Sequence, residues 1–143
     1  MIFTVPVPTR QAAQVDVSSR TRILLIEDND TSRQLMGEYL EYHGYEVCSL
    51  SRGNCANSTI DCFRPHVILL DLKLPDVDGF TLLEQFQQRP DWGLIPIIVV
   101  SAFAFQSDQQ RALGLGACRY LVKPVNLLQL RRTITDELSL VPY

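Results

Sequence analysis

The sequence contains no long hydrophobic run, no secretory pattern and no strong excess of charge. No stretch of about 18 apolar residues occurs among its 143 residues, so no transmembrane helix is predicted. The start, MIFTVPVPTR, does not match a secretory signal, because it lacks a basic segment followed by an uninterrupted apolar one. The formal net charge is only −3, which gives no general reason to expect binding to nucleic acid or to an anionic membrane. We therefore expect a cytoplasmic protein with no direct nucleic-acid contact and no membrane insertion.

Cysteine is sparse, and its spacing matches no metal-binding or disulfide pattern. None of the four cysteines (48, 55, 62 and 118) belongs to a CxxC pair, and neither histidine lies beside one of them. Cys55 and Cys62 would stand two turns apart on one helix, about 10 Å, which is too far for a disulfide. Reduced thiols are therefore expected, rather than a zinc site or a disulfide framework.

What the sequence does contain is enough apolar material for one domain. Hydrophobic residues make up 46% of the chain and charged residues 20%, which is typical of a globular protein that needs no disulfide or metal to fold. Residues 1–20 contain prolines and small polar residues without a clear period, and we interpret them as an extended or mobile arm. Residues 21–143 form the predicted domain.

Within this domain, apolar runs alternate with amphipathic segments. Strands are predicted at 23–26, 46–50, 67–70, 97–100 and 120–122. Several runs are continuously apolar, as expected when helices cover both faces of a sheet. Helices are predicted in the gaps, at about 30–43, 53–63, 80–88, 106–113 and 127–138, with Asp30 as the N-cap of the first and Gly44 as its stop.

The order of these elements predicts an α/β fold. Five successive β-then-α units imply a doubly wound five-stranded parallel sheet with right-handed crossovers. Such a sheet binds its ligand beyond the carboxyl ends of its strands. The residues that directly follow each strand are therefore the candidates for function.

Those positions carry a consistent set of polar side chains. Glu27 and Asp28 follow the first predicted strand, Asp71 the third, Ser101 the fourth and Lys123 the fifth. Taken singly, each has an ordinary explanation as a helix cap, a turn residue or a solvated charge. Taken together, three carboxylates at one edge repel one another unless a cation lies among them, and Mg²⁺ prefers such oxygen ligands. A lysine and a hydroxyl nearby suit an anionic, oxygen-rich ligand, so the set predicts a phosphoryl site with a carboxylate nucleophile.

Four segments resemble the receiver domains of two-component response regulators. They are IEDND, VILLDLKLPDVDGF, IIVVSA and GACRYLVKP, in matching order and spacing, and the resemblance covers about residues 21–142. It implies a flavodoxin-like (βα)5 fold with sheet order 2-1-3-4-5. It also implies a phosphoprotein of a phosphorelay, which accepts a phosphoryl group from a sensor histidine kinase or a phosphotransfer protein.

The resemblance assigns a phosphoacceptor and a metal site. Asp71 would be the phosphoacceptor. Asp28, Asp71 and the backbone carbonyl of Lys73 would hold Mg²⁺ (or Mn²⁺), with Glu27 acting through a water. Glu27 departs from the commoner Asp at its position but keeps the charge.

The resemblance also assigns the parts of a switch. Lys123 would pair with the phosphoryl oxygens, Ser101 would close on them, and Tyr120 would turn inward as Ser101 moves; a half-buried aromatic without a switching role is the alternative for Tyr120. The Lys123–Pro124 peptide would be cis. Phe103 offers no polar group to orient an attacking water, so a slowly decaying phosphoform is expected.

The output is expected to be a protein contact. The face formed by the fourth helix, the fifth strand and the fifth helix would dock a downstream protein or form a homodimer. No output module follows the last predicted helix in this chain, and a stand-alone protein and a fragment both remain open. We expect no enzyme beyond Mg²⁺-dependent self-phosphorylation and slow autodephosphorylation.

Three other classes fit the pattern less well. A phosphatase of the haloacid dehalogenase type needs a second Asp where this chain has Lys73. A flavodoxin-type cofactor module needs a phosphate loop after the first strand, where Glu27 and Asp28 would repel a phosphate. A pseudo-receiver that keeps the fold without phosphorylation would be expected to lose Asp71, the acidic pair or Lys123, and all are present.

Overall fold

The computed structural model describes residues 20–140 as a parallel sheet between two layers of helices. The strands are β1 (Arg22–Ile26), β2 (Glu46–Leu50), β3 (Val67–Leu70), β4 (Ile97–Ser101) and β5 (Arg119–Val122). The α-helices are α1 (Asp30–Tyr42), α2 (Ala56–Phe63), α3 (Gly79–Gln87), α4 (Gln106–Gly114) and α5 (Leu127–Ser139), and a 3-10 turn spans Pro90–Trp92. The strand order is β2-β1-β3-β4-β5, and every pairing is parallel. This confirms the predicted doubly wound fold and its 2-1-3-4-5 order.

The apolar runs of the central strands supply both faces of the sheet, because successive side chains of a strand point to opposite sides. One core lies between the sheet and α2, α3 and α4, and it contains Leu24, Ile26, Ile68 and Leu70. The other lies between the sheet and the helices α1 and α5. It takes the alternate strand residues, which are Ile23, Leu25, Val67 and Leu69.

Two predicted helix starts differ from the structure. The N-cap of α1 is Asn29 and not Asp30: the Asn29 side chain accepts a hydrogen bond from the Ser32 amide at 2.8 Å. Asp30 is the first residue of the helix and forms an ion pair with Arg33. Helix α2 begins at Ala56 and not at residue 53. The Asp76 side chain accepts hydrogen bonds from the backbone amides of residues 53 and 54 and holds them outside the helix.

The carboxyl ends of the strands bring the predicted functional residues to one edge. The backbone pairing continues one residue beyond the strands, with Asp71 N donating to Ile26 O and Lys123 N donating to Ser101 O, both at 2.9 Å. The Lys123–Pro124 peptide is cis. The predicted arm, residues 1–20, lies outside the described residues except for Arg20. Within residues 20–140, no helix has the length and apolar character needed to cross a membrane.

Candidate functional site

Three carboxylates form a cluster at the carboxyl edge of the sheet. Glu27 and Asp28 follow β1 directly and Asp71 follows β3, and the three residues offer carboxylate oxygens that all lie within 4.8 Å of one another. Glu27 is 1% exposed and Asp71 4% exposed, whereas Asp28 is exposed. The cluster is therefore buried on the strand side and open to solvent at Asp28.

Lys123 is the cation that contacts the two buried carboxylates. Its Nζ lies 2.6 Å from Glu27 Oε1 and 3.0 Å from Asp71 Oδ2. One ammonium against three carboxylates leaves an excess of negative charge when all are ionised. A hard divalent cation with oxygen ligands suits this donor set, and the residues present therefore fit a Mg²⁺ or Mn²⁺ site.

Backbone amides hold the other oxygens of the buried carboxylates. Asn29 N donates to Glu27 Oε2 at 3.0 Å, and Lys73 N donates to Asp71 Oδ1 at 3.1 Å. From α1, Arg33 Nη1 donates to the backbone carbonyl of Glu27 at 3.0 Å. The two amide bonds orient the Glu27 and Asp71 carboxylates, and the Arg33 guanidinium holds the backbone that carries Glu27. Arg33 was not predicted, because a side chain that binds a backbone carbonyl has no sequence signature.

Burial and the neighbouring charges shift two ionisation equilibria at the site. Burial raises the pKa of Glu27 to about 6, and the negative charge of Asp71 adds to this effect, although Lys123 and the Asn29 amide oppose it. Burial on its own would lower the pKa of Lys123, but its hydrogen bonds to Glu27 and Asp71 and the negative charges of these two groups together raise that pKa. Lys123 therefore remains an ammonium at neutral pH, and Glu27 becomes protonated as the pH falls through about 6.

Ser101 and Tyr120 are joined through the backbone of Phe103. Ser101 is fully buried, and its Oγ accepts a hydrogen bond from Phe103 N at 3.2 Å. The Tyr120 hydroxyl donates to Phe103 O at 2.7 Å, and burial raises the pKa of this half-buried tyrosine. The structure thus brings Glu27, Asp28, Asp71 and Lys123 into one cluster and links Ser101 and Tyr120 to the loop between β4 and α4.

The loop between β3 and α3 turns back sharply beside Asp71. Lys73 and Asp78 form an isolated antiparallel bridge, and Gly79 N donates to Leu72 O at 3.0 Å. A Cβ atom on Gly79 would lie 2.3 Å from the Leu72 Cα, so only glycine allows this close approach.

The fold and the site together define a class of protein. It is a doubly wound α/β domain with a buried carboxylate cluster, bridged by a lysine, at the ends of its strands. Residues 23–135 match the response regulator receiver domain family. The chain belongs to this family, whose members act in two-component signalling, bind Mg²⁺ at an acidic pocket and interact with histidine kinases or phosphotransfer proteins.

Two curated relatives illustrate the range of proteins to which the chain is similar. It is 38% identical over 115 residues to the transcriptional regulatory protein KdpE of Staphylococcus aureus, covering 80% of this chain and 48% of the relative. It is 30% identical over 117 residues to the polar-differentiation response regulator DivK of Brucella anthropi, covering 82% of this chain and 95% of the relative. The chain thus spans about half the length of relatives such as KdpE and nearly all of DivK.

Solved structures agree with the family. A CheY-like response regulator receiver domain from Methanospirillum hungatei superposes with a TM-score of 0.78 at 30% identity, covering 85% of this chain and 95% of the other. A putative response regulator from Chloroflexus aurantiacus gives a TM-score of 0.80 at 28% identity, covering 85% of this chain and 99% of the other.

Proposed function

We propose that this chain accepts a phosphoryl group on Asp71 and carries it as a signal in a phosphorelay. One observation supports this proposal above the others: the Asp71 carboxylate, 4% exposed, pairs with a lysine ammonium and clusters with two further carboxylates at the carboxyl edge of the sheet. A carboxylate in these surroundings has a cation to receive an incoming phosphoryl group and partners for a metal. The phosphodonor is a sensor histidine kinase or a phosphotransfer protein.

The transfer forms one bond and breaks one. A carboxylate oxygen of Asp71 attacks the phosphorus of a phosphohistidine, the P–N bond breaks, and the imidazole leaves with the electron pair and takes up a proton. The product is an aspartyl phosphate. Lys123 Nζ, which contacts Asp71 Oδ2 beforehand, moves its contact to the phosphoryl oxygens. The Lys73 amide, which donates a hydrogen bond to Asp71 Oδ1, keeps the carboxyl group oriented during the attack.

The acidic cluster is the proposed metal site. Asp28, Asp71 and the backbone carbonyl of Lys73 would hold Mg²⁺ or Mn²⁺, and Glu27 would act through a water. When bound, the metal neutralises charge on the phosphoryl oxygens. The exposed Asp28 leaves that side of the cluster accessible.

The proposed switch runs through Phe103. A phosphoryl group on Asp71 adds oxygens that would accept a hydrogen bond from the Ser101 hydroxyl and draw this side chain towards them. Because Ser101 Oγ accepts a hydrogen bond from the Phe103 amide, this movement would displace Phe103. Displacing Phe103 would break its carbonyl bond to the Tyr120 hydroxyl and free that ring to turn inward.

The output surface would be the face of α4, β5 and α5. Exposed apolar side chains occur on or beside these elements: Phe105, the N-cap of α4, at 77%, Leu113 of α4 at 47% and Val122 of β5 at 38%. It would dock a downstream protein or form a homodimer when Asp71 is phosphorylated. We place the protein in the cytoplasm and assign it no reaction beyond its own phosphorylation and slow dephosphorylation.

Labelling with a small phosphodonor tests the proposal. Incubation with acetyl phosphate and Mg²⁺ should add one phosphoryl group to the wild-type protein, and Asp71→Asn should abolish the labelling. Asp61→Asn is the control, because Asp61 is an exposed carboxylate paired with Arg89, outside the acidic cluster, and it should label like the wild type. Absence of labelling in the folded wild type would refute the proposal and favour a pseudo-receiver.

A further inference from the structure

The loop between β2 and α2 is docked on the turn that follows Asp71. Asp76, at the tip of that turn, accepts a hydrogen bond from Gly53 N at 3.0 Å through Oδ1 and another from Asn54 N at 2.8 Å through Oδ2. Both carboxylate oxygens are therefore used, and both bind backbone amides from a segment more than 20 residues away in sequence. The bonds to the two amides lower the pKa of Asp76, so the side chain is ionised at neutral pH.

Close packing at Gly53 accompanies these two hydrogen bonds. A Cβ atom on Gly53 would lie 2.3 Å from Val77 Cγ1, 3.2 Å from Leu82 Cδ2 and 3.3 Å from Leu74 Cδ1. The backbone of the β2–α2 loop thus lies against residues on both sides of Asp76. Polar and apolar contacts together hold the tip of the turn in one place.

The turn that Asp76 anchors also carries Lys73. The base of the turn is closed by the Lys73–Asp78 bridge, and Lys73 N is bonded to Asp71 Oδ1 at 3.1 Å. The Lys73 peptide is therefore held at the base of the turn, while Asp76 holds its tip. Movement of the tip would change the direction of the backbone carbonyls between these two points.

We propose that Asp76 is a positioning residue for the metal site, which orients the Lys73 carbonyl by joining the turn after β3 to the loop after β2. Asp76 does not touch the metal or the phosphoryl group. Residues that do not bind a metal can still raise its affinity by fixing the orientation of a ligand that does, and Asp76 acts in this way on the Lys73 carbonyl. This inference rests on the proposed metal site and adds Asp76 to the residues on which the affinity of that site depends.

Two substitutions separate hydrogen bonding from charge. Asp76→Ala removes both bonds and the negative charge; Asp76→Asn removes the same charge but keeps an oxygen that can accept one of the two bonds. Asp76 is exposed, so both variants should fold. If Asp76 acts only as a nearby negative charge, the two variants should weaken Mg²⁺ binding equally. If it positions the turn, the alanine variant should be the weaker binder.

Two measurements without any phosphodonor provide the test. In metal-free Asp76→Ala, the amides of Gly53, Asn54 and Lys73 should exchange hydrogen faster than in the wild type. By calorimetric titration with MgCl₂, the Kd of Asp76→Ala should rise about tenfold, the lower end of the range for outer partners of metal ligands, and that of Asp76→Asn should rise less. A Kd for Asp76→Ala within about twofold of the wild type, or equal increases in both variants, would overturn the inference. Neither result depends on whether Asp71 is phosphorylated.

Discussion

Replacing Lys123 with methionine should destabilise the folded protein strongly at neutral pH. Lys123 Nζ lies 2.6 Å from Glu27 Oε1 and 3.0 Å from Asp71 Oδ2, and its side chain is only 19% exposed. Methionine keeps the unbranched chain but removes the ammonium, which leaves two buried carboxylates uncompensated beside a third. Removing one partner of a buried ion pair costs about 3–5 kcal/mol. Because this pocket opens to solvent at Asp28, we expect about 3 kcal/mol, at the lower end of that range.

The stability lost in Lys123→Met should become smaller as the pH is lowered. The pKa of Glu27 in the folded protein, about 6, lies above its ordinary value of 4.5, so the folded state binds this proton more tightly than the unfolded state. Ionising Glu27 therefore reduces stability as the pH rises from about 4.5 to 6, by about 2 kcal/mol in the wild type. Without Lys123 this pKa should rise further, and the penalty at pH 7 should be larger. At pH 5 Glu27 is protonated in both proteins, and much of the difference between them disappears.

Urea unfolding, followed by the fluorescence of the buried Trp92, measures these changes. Lys73→Met is the matched control, because Lys73 is the other lysine of the chain and is exposed; it should change the free energy of unfolding by less than about 0.5 kcal/mol. Added Mg²⁺ should restore part of the stability of Lys123→Met, since it supplies the missing positive charge. A loss below about 1 kcal/mol at pH 7, or the same loss at pH 5, would refute this account of the buried cluster.

Four further predictions concern the metal site, the switch, the lifetime of the phosphoryl group and the first helix. The Mg²⁺ affinity of the wild type, measured by calorimetry, should fall as the pH drops through about 6, because Glu27 takes up a proton; an affinity unchanged between pH 7 and 5 would contradict this. Tyr120→Phe removes the hydrogen bond to Phe103 O and should lower the free energy of unfolding in urea by about 1 kcal/mol. Because Phe103 has no polar side-chain group to orient an attacking water, the aspartyl phosphate of the wild type should decay over minutes or longer, not seconds. Asn29→Ala removes the cap on Ser32 N and should cost about 1 kcal/mol; an unchanged unfolding midpoint would rule out that capping role.

The sheet and the acidic cluster could be predicted because their signals are local. The continuous apolar runs that end at Ile26 and Leu70 are typical of buried parallel strands, and Glu27 and Asp71 follow them directly. Once the strands are parallel, residues just beyond their carboxyl ends must lie at one edge. The meeting of the carboxylates with Lys123 follows from that topology.

Other features could not be predicted because they depend on distant partners or on backbone groups. Helix α2 starts at Ala56 because Asp76 binds amides just before it, and no local pattern encodes that contact. Asn29 and Asp30 are both good capping residues, so only the structure distinguishes them. The link between Ser101 and Tyr120 uses the amide and carbonyl of residue 103, groups that every residue except proline possesses.

Locating the phosphoryl group on the chain tests the central claim most directly. The wild-type protein would be treated with acetyl phosphate in the presence of Mg²⁺, and the acyl phosphate would be trapped by borohydride reduction, digested and assigned by mass spectrometry. We predict a single modified residue, Asp71, and no modification when Mg²⁺ is removed by a chelator. Modification at another carboxylate such as Asp28, or none on a correctly folded protein, would contradict the assignment of Asp71 as the phosphoacceptor.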